Sequence, residues 1–198
     1  MIDGPYPLEI PKAIAHAVRH MEDAGVANPA RDARIFLARA INQPIDRLTL
    51  FLRDTLSVAQ LQKFTADVQR RVNREPVSLI TGRKEFYGRS FAVGPAVLTP
   101  RPETEFLIEL ALAEPFERVL DLGLGSGCIL FTLLLEQRTP AWGLGTEVSP
   151  GALKVALRNR DAFALADKAN ICLGNWYDGI DDALPEGFPG FDLIVSNP

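Results

Sequence analysis

Cysteine, histidine, methionine and tryptophan each occur only twice in these 198 residues. Cys128 and Cys172 lie in apolar contexts far apart in the chain. They read as two buried thiols of a cytosolic protein, and their spacing is not that of a metal site. His16 and His20 stand four apart and could share a helix face. No further ligand is near them in sequence, so a solvated pair is the favoured reading and no metal is expected. Long hydrophobic runs are scarce as well. The longest, from Cys128 to Leu135, is far too short to span a membrane. Met1-Ile2-Asp3-Gly4-Pro5 lacks the basic and then apolar pattern of a signal peptide. These absences point to the cytoplasm, with no membrane partner. There is no internal repeat and no low-complexity tract.

What is present divides in two. Residues 1–101 carry 15 Lys+Arg against 10 Asp+Glu, and residues 102–198 carry 6 against 15. The split points to two units, the first able to meet an acidic partner, although ordinary solvated surface is an equally good reading.

Residues 10–74 read as helices. Ile10, Ile14, Val18 and Met21 recur at helical spacing, with Gly25 as a stop. Asn28-Pro29 has the form of an N-cap followed by proline at the first helical position. Ala33, Leu37, Ala40 and Ile41 form the next apolar face. Ser57 and Gln60 make a capping-box pattern ahead of the stripe Val58, Leu61, Phe64, Val68 and Val72. The result is a small bundle of about four helices. Arg70, Arg71 and Arg74 end the last of them, where cations suit the helix dipole. That role competes evenly with partner binding.

Glu75-Pro76 breaks the pattern. Residues 86–93 alternate around Gly88 and read as a hairpin. Pro102 can open a helix with Glu103 and Glu105 in its first turn and Phe106, Leu107 and Leu110 on its apolar face. Strand and helix then alternate: strands at 118–122, 141–148, 170–174 and 191–196, helices at 126–136 and 150–163. On the second helix Leu153, Val155, Ala156 and Leu157 are the candidate packing residues. This alternation predicts a parallel α/β sheet. The expected domains are a helical unit over 1–82, a β-hairpin linker over 83–101 and a catalytic unit over 102–198.

The chemistry centres on Asp121-Leu122-Gly123-Leu124-Gly125-Ser126-Gly127, between the first strand and its helix. Alternate glycines permit positive φ and leave no Cβ in the way of a ligand. A strand, a glycine turn and a helix N-terminus together read as a nucleotide-type cofactor site. Glu147, ending the second strand, can accept both ribose hydroxyl protons of an adenosine-type cofactor. Asn175-Trp176 follows the third strand, where a ring could flank an adenine. Asn197-Pro198 follows the fourth. The spacing Gly123-x-Gly125-x-Gly127 is not the G-x-G-x-x-G of dinucleotide binding, which disfavours an NAD-dependent oxidoreductase.

That spacing, preceded by Asp121, is similar to the first motif of S-adenosylmethionine-dependent methyltransferases. Asn197-Pro198 resembles the start of the N-P-P-Y signature of enzymes that methylate planar nitrogens. From about residue 74 the likeness narrows to the release-factor glutamine methyltransferase family (PrmC, formerly HemK). It rests on Arg74-Glu75-Pro76-Val77, Ile80-Thr81-Gly82, Glu85-Phe86-Tyr87-Gly88 and Pro100-Arg101-Pro102-Glu103-Thr104-Glu105. It continues with Val119 to Cys128 and with Asp192 to Pro198.

The resemblance implies a Rossmann-like sheet of the class I methyltransferase type, incomplete at its C-terminus. It also implies S-adenosyl-L-methionine as cofactor, yielding S-adenosyl-L-homocysteine. Asp121, Gly123, Leu124, Gly125, Ser126, Gly127, Glu147, Asn175, Trp176 and Asn197 would bind it, with Asp121 near the sulfonium; a capping role in the turn is the other reading of Asp121. Asn197 and Pro198 would be catalytic, accepting the two protons of a glutamine amide. The substrate implied is the Gly-Gly-Gln loop of class I peptide-chain release factors, docked by the helical unit. No direct nucleic-acid partner is expected.

Leu124, Glu147 and Asn175 depart from the family's usual threonine, aspartate and aspartate. The family continues well past the Asn-Pro, so this chain is expected to turn over little or not at all. An adenine-N6 nucleic-acid methyltransferase is one alternative, against which the net acidity of residues 102–198 counts. A cofactor- or partner-binding fragment without activity is another.

Overall fold

The computed structural model describes residues 8–184 and 186–197. Two compact units divide between Thr81 and Gly82.

The first unit is helical. Strand β1 (Leu8–Glu9) leads into α1 (Ile10–Asp23), followed by α2 (Pro29–Ile41) and a 3-10 segment (Ile45–Phe51). Then come β2 (Thr55–Leu56), α3 (Val58–Val72) and the short α4 (Val77–Thr81). β1 and β2 pair antiparallel. Ser57 and Gln60 form the capping box that their spacing predicts, each side chain taking the other's backbone N–H. Pro29 opens α2 as expected, but Asn28 makes no side-chain cap.

The buried face of α1 is Ile10, Ala13, Ala17 and Met21, one residue round from the predicted stripe. Small side chains let neighbouring helices approach, and Ile14 and Val18 flank that seam, partly buried. On α2 the core residues are Ala33, Phe36, Leu37, Ala38 and Ala40, with Ile41 at the margin. Val58, predicted to be inside, is 52% exposed.

Two buried carboxylates fix the helices in register. Asp32 pairs with Arg71 at 2.8 Å and Asp67 with Arg39 at 2.6 Å. The arginines that close α3 have structural partners. Arg70 pairs with Glu75, whose carboxyl it holds below the usual carboxylate range through their hydrogen bond. Arg71 also reaches the Glu75 carbonyl at 3.1 Å, and Arg74 bonds the carbonyls of Gly25 and Ala24 at 2.8 and 2.5 Å.

The second unit opens with a hairpin, β3 (Arg83–Phe86) and β4 (Arg89–Ala92). Tyr87 and Gly88 form its two-residue turn, both at positive φ (48° and 70°), the geometry whose twist matches the flanking strands. Phe86 and Phe91 are buried in this unit's main core.

α5 (Thr104–Ala111) follows, then β5 (Arg118–Leu122), α6 (Cys128–Glu136), β6 (Trp142–Glu147) and α7 (Pro150–Ala162). β7 (Ala169–Leu173), α8 (Ile180–Ala183) and β8 (Leu193–Ser196) complete the described chain. α5 begins two residues after Pro102 and buries Thr104 and Ile108. Phe106 and Leu110, predicted to face inward, are 63% and 58% exposed. α6 likewise starts at Cys128 and not at Ser126, because Gly127 takes a left-handed conformation at its N-cap.

The sheet runs β7-β6-β5-β8, every neighbour parallel. Counted within the sheet this is the order 3-2-1-4, four strands of the six-stranded Rossmann order, with a switch point beside β5. The side chains of β5 alternate across it. Val119 joins the core containing α5, α6 and α7 residues, while Leu120 and Leu122 join a smaller cluster with Leu144 and Ile180 on the opposite face. Gly143 and Gly145 on β6 let the first core close in. A Cβ on either would lie 2.5 or 2.6 Å from Leu130 or Leu124.

Candidate functional site

Because the four strands are parallel, their carboxyl ends share one edge. The segments after Leu122, Glu147, Leu173 and Ser196 therefore meet there, at the crevice where open α/β sheets bind ligands.

The glycine loop follows β5. Gly123, Gly125 and Gly127 all have positive φ, at 78°, 57° and 79°. The loop is tied to β6: the amides of Gly123 and Leu124 both donate to the Thr146 carbonyl, at 3.0 and 2.8 Å. A Cβ at Gly123 would meet no atom within 4 Å, and one at Gly125 only the Gly123 carbonyl at 4.0 Å. The loop thus presents bare backbone to open space. At Gly127 the reverse holds, since a Cβ would fall 2.1 Å from the Phe131 ring.

Two carboxylates brace this loop. Asp121 shares the face of β5 with Val119, so its carboxyl lies under α6. There Oδ2 accepts from Leu130 N at 3.3 Å, one of the amides that a helix start leaves without an internal partner. Asp121 Oδ1 is buried with no hydrogen-bond partner among the described residues. Burial, opposed by the Leu130 bond and reinforced by nearby Glu147, pushes its pKa up to about 7. Glu147 is also buried. Its Oε2 accepts from Gly125 N and its Oε1 from Ser149 N, both at 2.8 Å. The extra methylene relative to aspartate therefore ends in contact with the loop itself.

The third strand end joins the second through Gly174 N, which donates to the Glu147 carbonyl at 3.0 Å. Asn175 and Trp176 sit in the following turn, both exposed, with Trp176 in a left-handed conformation (φ 56°) and 53% accessible. At the fourth end Ser196 Oγ donates to the Leu122 carbonyl at 2.8 Å. Asn197 is exposed, and its Nδ2 donates to Thr104 Oγ1 at 2.9 Å. Arg101, Glu103, Thr104, Leu107, Ser196 and Asn197 line a cleft of about 270 Å³ at this point.

Leu124 does not belong to the crevice. Its side chain is 4% exposed and packs over Gly145, its N–H is bonded to Thr146 and its carbonyl accepts from Gly127. An apolar side chain between two loop glycines is drawn into the core, so this residue anchors the loop. Ser126 is likewise buried, its carbonyl directed at Asn159. Pro198 lies outside the described residues.

Asn159 is a residue that sequence reasoning missed. It is 2% exposed, and its side chain makes three bonds: from Ala92 N at 2.7 Å, and to the carbonyls of Ala92 at 3.0 Å and Ser126 at 2.8 Å. It thereby ties the hairpin, α7 and the glycine loop together. Its signal was the spacing Ala152, Ala156, Asn159, a small-residue stripe continued by a polar side chain. Leu153, Val155 and Leu157, predicted to pack, are only half-buried.

The cysteines are not poised for reaction, since burial pushes the Cys128 thiol up to about 12 and raises that of Cys172. In the helical unit His16 and His20 line a cleft of about 280 Å³ with Arg19, Asp23, Thr65 and Gln69. Among the described residues no group of three or more His, Cys, Asp or Glu could hold a metal, and no helix is long and apolar enough to cross a membrane.

The donor set fits a cofactor with hydroxyls and a positive charge better than a pyrophosphate. Two carboxylates stand under the loop, one with an oxygen lacking a partner, and they already take two of the amides that a phosphate would use.

Residues 12–82 match the PrmC N-terminal domain. The chain is 45% identical over 186 residues to a release factor glutamine methyltransferase of Cereibacter sphaeroides, covering 94% of this chain and 64% of that protein. It is 42% identical over 178 residues to the corresponding protein of Rhodospirillum rubrum, covering 88% and 52%. The chain thus spans about half to two thirds of the length of these relatives. Among solved structures, an O-methyltransferase from Bacillus cereus in complex with SAH superposes with a TM-score of 0.45 at 20% identity, covering 52% of this chain and 47% of that one.

Proposed function

We propose that this chain belongs to the release factor glutamine methyltransferase family and uses its glycine loop to hold S-adenosylmethionine for methylation of a glutamine side-chain amide in class I release factors. The observation that carries this is the acid-braced loop, with the partnerless Asp121 Oδ1 beneath it, on the same sheet edge as Asn197. The cofactor, when bound, supplies an electrophilic methyl group on a sulfonium.

The residues of the chain do the rest. Gly123 and Gly125 let backbone approach the cofactor without a Cβ. Glu147, already oriented by Gly125 and Ser149, accepts from ribose hydroxyls with its remaining lone pairs. Asp121, whose carboxyl pKa burial raises to about 7, would be drawn to its charged form by a cation beside it, and Trp176 and Asn175 border the adenine side. An amide nitrogen is a weak nucleophile because its lone pair is delocalised into the carbonyl. Asn197 Oδ1, accepting one amide proton, aims that nitrogen and favours the positive charge that grows on it during attack. The proton becomes acidic only as the new bond forms, so no base is needed beforehand.

The helical unit would dock the release factor, and the reaction would take place in the cytoplasm. The test is mass spectrometry of a class I release factor after incubation with S-adenosylmethionine and the chain extended past Asn197-Pro198 to the length of its relatives, with a DNA duplex in the same mixture. Gain of one methyl group on the glutamine of the Gly-Gly-Gln loop is expected. Methylation of the DNA instead would overturn the substrate assignment.

A further inference from the structure

We propose that Thr104 is a positioning residue for the substrate amide: its hydroxyl holds the Asn197 side-chain NH2, which leaves Asn197 Oδ1 as the group presented to the glutamine. This rests on the role given above to Asn197.

The contact joins residues 93 apart in sequence, with Nδ2 at 2.9 Å from Thr104 Oγ1. Its two halves differ in character. Thr104 is 6% exposed and fixed at the start of α5, its own N–H bonded to the Arg101 carbonyl at 3.1 Å. Asn197 is exposed, one residue beyond a strand end that Ser196 pins to Leu122. The backbone of Asn197 is therefore placed by the sheet, while the rotation of its amide is free unless something grips it.

An asparagine amide is nearly symmetric in shape and opposite in function at its two ends, with two N–H donors on one and two lone pairs on the other. A glutamine amide approaching with its own N–H groups needs the oxygen end. If the Asn197 amide turned over, donor would face donor. Thr104 Oγ1 accepts from the NH2 end and fixes the plane of the amide, with Oδ1 left free in this orientation. α5 does not need this hydroxyl for itself, because its N-cap position is Glu103 and no side-chain cap is made there. A buried hydroxyl at a helix start that bonds another element's side chain, at the rim of the cleft lined by Arg101 and Leu107, has its purpose across that cleft.

Nuclear magnetic resonance of the whole chain tests this. The Asn197 side-chain amide is assigned by its disappearance in Asn197→Ala. In the wild-type protein one of its protons should exchange with solvent markedly more slowly than in an unstructured peptide. Exchange at the free rate would overturn the proposal with no variant needed. Thr104→Val should shift the amide resonance and bring exchange to the free rate, and Thr104→Ser should restore both. A resonance unmoved by Thr104→Val also overturns it.

In methyl transfer to the release factor by the chain extended past Pro198, Thr104→Val should lower kcat about tenfold with the KM for S-adenosylmethionine unchanged, and Thr104→Ser should recover most of the loss. An unchanged kcat in Thr104→Val would overturn the positioning role. Absence of transfer by the extended wild-type chain would instead count against the substrate assignment, while the exchange measurement still decides whether Thr104 holds Asn197.

Discussion

Glu147, at the end of β6, and Gly125, in the middle of the glycine loop, are joined by a 2.8 Å hydrogen bond from the Gly125 amide to Oε2. A carboxylate proposed to hold the ribose thus also sets the shape of the loop. Glu147→Ala removes both functions, and S-adenosylmethionine affinity should fall on the order of 100-fold, a charge-assisted bond and its partner's placement being lost together. Glu147→Gln should fall between the two, because one of its ends can no longer accept. Calorimetric titration of the three proteins measures this.

Gly127 is the loop glycine with least tolerance. It combines a φ of 79° with a Phe131 ring 2.1 Å from where a Cβ would stand. Gly127→Ala should destabilise the protein by about 1–3 kcal/mol and abolish measurable cofactor binding. Gly123→Ala, where a Cβ meets nothing within 4 Å, should cost less in stability and still impair binding, since its Cβ enters the cradle. Urea denaturation alongside titration separates the two effects.

Asn159→Ala strands three backbone groups, the part-buried N–H and carbonyl of Ala92 and the buried carbonyl of Ser126. The expected loss is about 2–4 kcal/mol, large for one polar residue on a helix. A urea midpoint within error of wild type would show that this network contributes nothing.

The missed importance of Asn159 illustrates what the sequence conceals. Its bonds reach 67 residues back to Ala92 and 33 back to Ser126, and no local spacing encodes either. Thr104 was visible as part of a specific run, but its partner Asn197 lies 93 residues on. Local chemistry was easier to read. The Ser57–Gln60 capping box, the alternation around Gly88 and the strand–glycine–helix passage at Asp121–Gly127 each depend on neighbours within a few residues. Helix faces were placed one residue out on α1, and Phe106 and Leu110 were placed inside on α5. Periodicity finds the apolar side of a helix, whereas alanine seams and partners elsewhere in the chain decide which part of it touches. For a related reason, only the sheet shows that the Leu124 side chain lies over Gly145.

Asp121 makes stability depend on pH in a direction opposite to most carboxylates. Its folded pKa is raised to about 7, so the fold favours the protonated form. The stability this contributes is complete below the ordinary carboxylate value and is lost as pH rises through about 7. Asp121→Asn, neutral at every pH, lacks this dependence, and the difference between the two urea midpoints should widen from about pH 4 to about pH 7 and then hold constant. If the two curves run parallel, Asp121 does not titrate in that range.

The central claim is that the loop from Asp121 to Gly127, braced by Glu147, binds a sulfonium cofactor. Calorimetric titration of the chain with S-adenosylmethionine, and separately with NAD, addresses it most directly. Saturable binding of one S-adenosylmethionine per chain, weakened in Glu147→Ala, with no heat from NAD, is the predicted result. Binding of NAD, with none of S-adenosylmethionine, would contradict it.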